Sequence, residues 1–232
     1  MLSLLIVTPH SFSALAEEGR TPQSSPATSV PTPQPTGTTN SDPLKWAFDR
    51  LDALDFDRDF LRTLVKDYPF DDEKRQRIIF LNIFGFLKRA DYTGHYSRIA
   101  VQKSTDFLNQ YRSTFARAYQ HSQVDPRVVA ALLWVETKHG KQLGADPIGA
   151  TLLTIIQGEH PSFLPLALDE LREREPNPTP EMIEKTVSRL KDKAAWATEE
   201  LRAFRRLNKA QGKGVLTWKG SFAGAFGYSQ FL

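Results

Sequence analysis

From Leu44 onward, apolar residues recur at three- and four-residue steps, and no convincing run of alternating apolar and polar residues interrupts them. This spacing places apolar side chains on one face of an α-helix, whereas a half-buried strand needs a period of two. The pattern therefore predicts a mainly α protein. The apolar stripes span residues 44–54, 60–65 and 78–87, and further helices are expected from about 105 to 122 and from 180 to about 208.

Capping residues mark the ends of some of these helices. Asp71 and Asp72 stand before the third stripe, where a carboxylate accepts a hydrogen bond from an unpaired backbone N–H. Asp125 followed by Pro126 is typical of a helix start, and Gly140 is typical of a helix end. The sequence thus predicts a well-delimited helix between Pro126 and Gly140.

The first 43 residues have a different composition. An apolar run at 2–7, Pro9 and the triplet Ala14-Leu15-Ala16 resemble a secretory signal peptide cleaved after Ala16. The run is too short and interrupted to span a bilayer, and an ordinary amphipathic N-terminus is the alternative. Residues 17–43 hold six prolines and one large aliphatic residue, which predicts a disordered linker. We therefore expect a signal peptide at 1–16, a linker at 17–43 and a helical domain at 44–232.

Charge and cysteine content exclude several classes of partner and of functional site. The chain of 232 residues has 30 Lys and Arg against 27 Asp and Glu, so its net charge of +3 does not indicate a nucleic-acid partner. The absence of cysteine excludes disulfides, thiolate metal sites and cysteine nucleophiles. His139 and His160 are 21 positions apart without an acidic ligand pattern, so no metal site and no cofactor is predicted.

One carboxylate follows a strongly apolar segment. Residues 128–135 are all apolar, so their helix is expected to lie in the core, and Glu136 comes directly after them. Its neighbour one turn back is Leu132 and the residue four ahead is Gly140, so no cation of the same helix neutralises it. Burial raises the pKa of a carboxyl, as a general acid requires. The alternatives are exposure in the last helical turn or pairing with His139.

A glycine-rich segment closes the chain. Five of the 13 glycines lie between 212 and 227, and aromatic residues alternate with them up to residue 231. Glycine allows backbone to approach a ligand closely. The segment lacks the Gly-Lys-Ser/Thr ending of a phosphate loop and the apolar surroundings of a membrane helix pair. Simple turn formation is the remaining alternative.

Together, two stretches resemble a known family. DPRVVAALLWVETKHGKQLG and KGSFAGAFGYSQF are similar to the catalytic-helix and glycine-rich motifs of the B-type lytic murein transglycosylases, which have a lysozyme-like catalytic domain. FLNQYRSTFARAYQHSQVDP is similar to the family's approach to the catalytic helix. The resemblance extends over roughly residues 48–231. It implies a mainly α, lysozyme-like transglycosylase domain that is incomplete at its C-terminus.

The resemblance also implies a site and a reaction. Glu136 matches the family's single catalytic acid, and Ser221, Tyr228 and Gln230 match residues that face the glycan cleft, with Gln230 expected near the carboxylate. The implied partner is the peptidoglycan glycan strand, cleaved between N-acetylmuramic acid and N-acetylglucosamine. One glutamate acts first as acid and then as base, leaving a 1,6-anhydro end. A periplasmic or cell-envelope location follows, with no nucleic-acid partner and no stable membrane span.

Two departures from the family keep a second function open. Residues 159–163 read Glu-His-Pro-Ser-Phe where the family carries a Tyr-Pro-Arg-Arg-like stretch, and the chain ends at Leu232 where the family continues through Pro-Ser into further helices. These departures suggest, as the alternative, a noncatalytic module that binds or scaffolds peptidoglycan. A basic helical face formed by Arg202, Arg205, Arg206 and Lys209 could meet anionic cell-wall peptides, or it could complement the C-terminus of its helix.

Overall fold

The computed structural model describes residues 42–87 and 93–230, which form a mainly α fold as predicted. The predicted signal peptide and almost all of the predicted linker lie outside the described residues. The helices are α1 Pro43–Ala53, α2 Arg58–Lys66, α3 Asp72–Ile83, α4 Arg98–Gln110, α5 Arg112–Ser122, α6 Pro126–Thr137, α7 Ile148–Gln157, α8 Phe163–Arg174 and α9 Pro180–Gln211. Short 3-10 turns occur at Phe84–Leu87, Thr93–His95 and Lys213–Thr217.

Helix starts coincide with side chains that accept backbone hydrogen bonds. The carboxylate of Asp71 accepts from Lys74 N at 2.8 Å, and that of Asp125 accepts from Arg127 N at 2.8 Å. Each bond satisfies an N–H that has no partner inside its helix. The predicted caps at Asp71 and Asp125 are confirmed, whereas Asp72 is the first residue of α3.

The prediction of one continuous helix from about 105 to 122 is wrong. The segment forms two helices, α4 and α5, which meet at Tyr111 with φ −110° and ψ 27°. The described residues also include two strands that no alternating pattern predicted, β1 (Asp146–Pro147) and β2 (Lys219–Gly220), paired antiparallel. Two residues are too few to leave a periodic signal.

Helix α7 lies at the centre of the core, because all ten of its residues are buried. It packs against α1, α2, α3 and α9. Gly149 permits the close approach of α2, since a Cβ at this position would lie 2.5 Å from Leu64 Cδ2. The largest fully buried side chains of α7 are Ile148, Leu152, Leu153, Ile155 and Ile156.

The prediction that α6 lies in the core is wrong. Val128, Leu132 and Val135 are 52%, 56% and 36% exposed, and only Ala130 and Thr137 of this helix are buried. Helices α4, α5 and α6 pack on one another as an outer layer, so α6 has partners on one side. Among the described residues, nothing covers its other apolar side.

Part of the basic face of α9 has a structural role. Arg202 and Arg205 donate hydrogen bonds to the carbonyls of Leu54 and Asp55, each at 3.3 Å. Their guanidinium groups lie over the Phe56 ring, at 4.8 and 5.8 Å from its centroid. These two arginines therefore satisfy carbonyls that follow α1 and fix its end against α9.

Within residues 42–87 and 93–230, no helix is both long enough and apolar enough to cross a membrane.

Candidate active site

Glu136 is the penultimate residue of α6, and its side chain is exposed. It shares a helix face with Leu132, four residues earlier, which is among the exposed apolar residues of α6. The apolar burial expected around Glu136 is therefore wrong for the described residues, and the alternative of exposure in the last turn is confirmed. Its carboxylate is accessible to a large ligand.

A left-handed turn follows directly. Lys138, His139 and Gly140 have φ values of 50°, 56° and 83°. The amides of Lys138 and His139 donate to α6 carbonyls four and six residues back, each at 3.0 Å, which ends the helix. The Tyr228 ring lies against Gly140, where a Cβ would stand 2.3 Å from Tyr228 Cε1. A side chain at position 140 would displace the tyrosine.

Thr137 joins this turn to the glycine-rich segment. Its hydroxyl donates to the Tyr228 carbonyl at 2.9 Å and accepts from Gly140 N at 2.9 Å. The side chain is fully buried, so loss of either bond would leave a polar group without a partner. Thr137 follows Glu136 within the stretch DPRVVAALLWVETKHGKQLG, but the sequence did not indicate this linking role.

A second contact with the glycine-rich segment is made by the residues that follow the next loop after α6. Asp146 pairs with Gly220 and Pro147 with Lys219 in the two-stranded ladder. Gly144, with φ 85°, stands so close to β2 that a Cβ would lie 2.0 Å from the Gly220 carbonyl. The contact is between backbone atoms, so only glycine fits at this position.

Ser221 begins a tight turn immediately after this ladder. Its amide donates to the Ala225 carbonyl at 2.8 Å, and its own carbonyl accepts from Gly224 N at 2.9 Å. The turn chemistry expected of the glycine-rich segment is thus present. Ser221 is half-buried.

A cleft of about 290 Å³ opens beside Ser221. Lys74, Asp146 and Phe222 are among the residues that line it, and Lys74 Nζ donates to the Asp146 carboxylate at 2.9 Å. Asn82 holds the rim of the cleft, because its Nδ2 donates to the Phe222 carbonyl at 2.9 Å. Sequence reasoning missed Asn82. Its signal is that it is the one polar residue within positions 78–84.

Tyr228 lies against the turn that follows α6, and Gln230 lies beside the loop just beyond that turn. Tyr228 is 51% exposed, with its ring on Gly140. Gln230 Nε2 donates to Gly227 O at 3.1 Å and lies 3.5 Å from Leu143 O. The structure therefore joins the two motifs that the sequence singled out, although about 90 residues separate Thr137 from Tyr228 and Leu143 from Gln230.

The segment that departs from the family pattern is anchored to the core. His160 is buried against the edge of the Trp46 ring, with centroids 5.5 Å apart, and burial lowers the pKa of His160 below its usual value. Glu159 pairs with Arg50 at 2.8 Å. In the described part of the chain, no group of three or more His, Asp or Glu side chains is placed to hold a metal ion.

Three comparisons bear on this geometry. The family model described as Transglycosylase SLT domain matches residues 50–232. The membrane-bound lytic murein transglycosylase B of Escherichia coli K12 is 28% identical over 132 residues, which cover 57% of this chain and 28% of that protein. The chain therefore spans less than a third of this relative.

Solved structures show the same fold. Soluble lytic transglycosylase SltB1 from Pseudomonas aeruginosa has a TM-score of 0.53 at 19% identity, covering 82% of this chain and 53% of its own. The Escherichia coli lytic transglycosylase Slt35, in complex with bulgecin A, has a TM-score of 0.53 at 22% identity, covering 83% and 52%. The chain thus spans about half of each structure, and the expected fold class is confirmed.

Proposed function

Because the chain belongs to the Transglycosylase SLT domain family, we propose that it is a peptidoglycan lytic transglycosylase with Glu136 as its one catalytic acid and base. The observation that carries the proposal is the bond from Thr137 to the Tyr228 carbonyl, which ties the Glu136 turn to the glycine-rich segment. Residues 44–232 form the transglycosylase part. We place it in the cell envelope, behind a signal peptide at 1–16 and a linker at 17–43.

The reaction needs one carboxyl group in two protonation states. Protonated Glu136 donates its proton to the glycosidic oxygen between N-acetylmuramic acid and N-acetylglucosamine, while the muramic N-acetyl oxygen assists at the anomeric carbon. The resulting carboxylate then takes the proton of the muramic C6 hydroxyl, whose oxygen attacks the same carbon. The product carries a 1,6-anhydro ring, and no water is consumed.

The carboxylates around the cleft support this one-acid scheme. A glycosidase of the usual type needs two acidic residues with separate roles. Asp146 lines the cleft beside Ser221, but its carboxylate is engaged by Lys74 at 2.9 Å. Assistance by the substrate's own N-acetyl group supplies what a second free carboxylate would otherwise provide.

The substrate also completes the environment of Glu136. The side chain is exposed, so water surrounds it before the glycan arrives. A bound strand excludes that water, and loss of hydration disfavours the charged form of a carboxyl, as proton donation requires. Tyr228 and Ser221 contact the strand from the glycine-rich side, and Gln230 supplies an amide next to the acid.

The test is digestion of purified sacculi followed by mass spectrometry of the soluble products. The unmodified chain is expected to release fragments with 1,6-anhydromuramic ends. Glu136→Gln is expected to abolish their release without changing the free energy of unfolding. Glu173→Gln, an exposed glutamate on α8, is the matched control and should leave release intact.

Three outcomes would contradict the proposal. Hydrated reducing ends would indicate a hydrolase, and release by Glu136→Gln would remove this residue from the chemistry. Binding to sacculi without any soluble product would favour the noncatalytic module.

A further inference from the structure

A cavity of about 320 Å³ lies between α4 and the end of α6, on the side of α6 away from Glu136. Trp134 of α6 lines it, and Glu136 is two residues further along, which corresponds to a turn of about 200° around the helix. Three cations line the cavity with one acidic residue: Lys103, Lys138, Lys141 and Asp106. We call this cavity the lysine pocket.

The lysine pocket is rich in hydrogen-bond donors. Lysine ammonium groups can only donate. The indole Nε1 of Trp134 is buried and has no acceptor among the described residues. Lys138 Nζ lies 4.8 Å from the centroid of the Trp134 ring and 2.9 Å from His95 Nδ1. Such a lining favours a ligand that brings acceptor oxygens and negative charge.

The Lys138 side of the lysine pocket is formed by residues with an uncommon backbone conformation. Lys138 and His139 both adopt positive φ, which residues with a Cβ rarely do. The His139 ring is stacked on Phe107, with centroids 4.2 Å apart and planes at 4°, and its Nε2 donates to Ala130 O at 2.9 Å. The turn therefore holds the Lys138 side of the pocket in one arrangement.

The single acidic residue does not neutralise the lining. One carboxylate oxygen of Asp106 accepts from Gln102 Nε2 at 2.8 Å, within α4. Lys103 and Lys141 are both exposed. Three ammonium groups against one carboxylate leave the pocket positive, which favours anionic ligands.

We propose that the lysine pocket binds the carboxylate-bearing peptide branch of peptidoglycan while the glycan lies at Glu136. This inference rests on the proposed function. The branch begins on the muramic residue, beside the bond to be cleaved. The pocket lies at the C-terminal end of α6, and Lys138, which lines it, is two residues after Glu136, so their Cα atoms are at most about 7 Å apart. An extended peptide of about four residues reaches roughly 14 Å. A branch that starts at Glu136 can therefore reach the Lys138 side of the pocket past the end of α6.

The experiment measures binding by calorimetry with the full chain carrying Glu136→Gln, so that the ligand is not consumed. The two probes are short glycan strands with their peptides and the same strands after an amidase has removed the peptides. The test variant is Lys103→Gln with Lys141→Gln, because both side chains are exposed and their loss should not affect folding. The matched control is Lys66→Gln with Lys191→Gln, two exposed lysines elsewhere.

The test variant should bind peptide-bearing strands about fivefold more weakly, as expected for the loss of two solvated ion pairs. Its affinity for stripped strands and the control's affinity for both probes should not change. Equal weakening for both probes, or no weakening, would overturn the proposal. Failure of the proposed function looks different, because the unmodified chain would then release no anhydro product from either kind of strand.

Discussion

Replacing Gly144 with alanine places a methyl group against the backbone of the glycine-rich segment. The added Cβ would lie 2.0 Å from the carbonyl carbon and oxygen of Gly220 and 2.4 Å from the amide nitrogen of Ser221. These are backbone atoms, so no side-chain rotation relieves the contacts. The ladder between β1 and β2 must open for alanine to fit.

Two energetic costs determine how much Gly144→Ala destabilises the fold. An alanine held at positive φ costs about 1 kcal/mol, and inserting a methyl group into a packed region costs about 1–3 kcal/mol. Gly144→Ala should therefore lower the free energy of unfolding by about 2–4 kcal/mol. Gly227 has φ 76°, but no atom lies within 4 Å of its added Cβ, so Gly227→Ala should show only the backbone cost of about 1 kcal/mol.

The assay is urea unfolding followed by tryptophan fluorescence, with release of anhydromuramic products measured in parallel. The Gly144→Ala variant should release less product as well as being less stable, because the opened ladder displaces Ser221, which is proposed to contact the glycan. If Gly144→Ala is no more destabilising than Gly227→Ala, the close backbone contact between Gly144 and Gly220 is wrong.

Two further predictions concern the ends of α6. Thr137→Val removes a buried hydroxyl that bonds to the Tyr228 carbonyl and the Gly140 amide, and it should lower the free energy of unfolding by about 1–3 kcal/mol. The control Thr105→Val, at an exposed position of α4, should change the free energy of unfolding by less than about 0.5 kcal/mol. Equal losses of stability in denaturant melts would refute the linking role of Thr137. Hydrogen bonds from Arg127 lower the pKa of Asp125 from 3.8 to about 2. Because the pKa of Asp125 is lower in the folded state, its contribution to stability is complete above about pH 4 and is lost as pH falls toward 2. In thermal melts, the melting temperature of Asp125→Asn should therefore depend less on pH over that range than that of the unmodified chain. An unchanged pH dependence would refute this contribution of Asp125.

Helix ends were largely predictable because their signals are local. Asp125 and Pro126 start α6 through contacts within one turn, and the positive φ of Gly140 follows the end of that helix. The break at Tyr111 was missed. It falls within a stripe whose apolar spacing continues across it, so periodicity alone does not reveal the bend.

The candidate site was predicted as two separate motifs, and only the fold joins them. Nothing within either motif indicates that the hydroxyl of Thr137 bonds to the carbonyl of Tyr228, or that Asn82 of α3 holds Phe222. Such partners lie about 90 and 140 positions apart, and a hydrogen bond over that separation leaves no periodic pattern in a single sequence.

Local sequence determined the helical class of this protein, the caps of α6 and the residue types that the chemistry needs, because each of these depends on neighbours within a few positions. Tertiary structure decided which apolar helix is buried. Both α6 and α7 are rich in apolar residues, yet α7 is enclosed on all sides while α6 exposes Leu132 beside Glu136. Burial depends on which helices surround a segment, and that is a property of the whole packing.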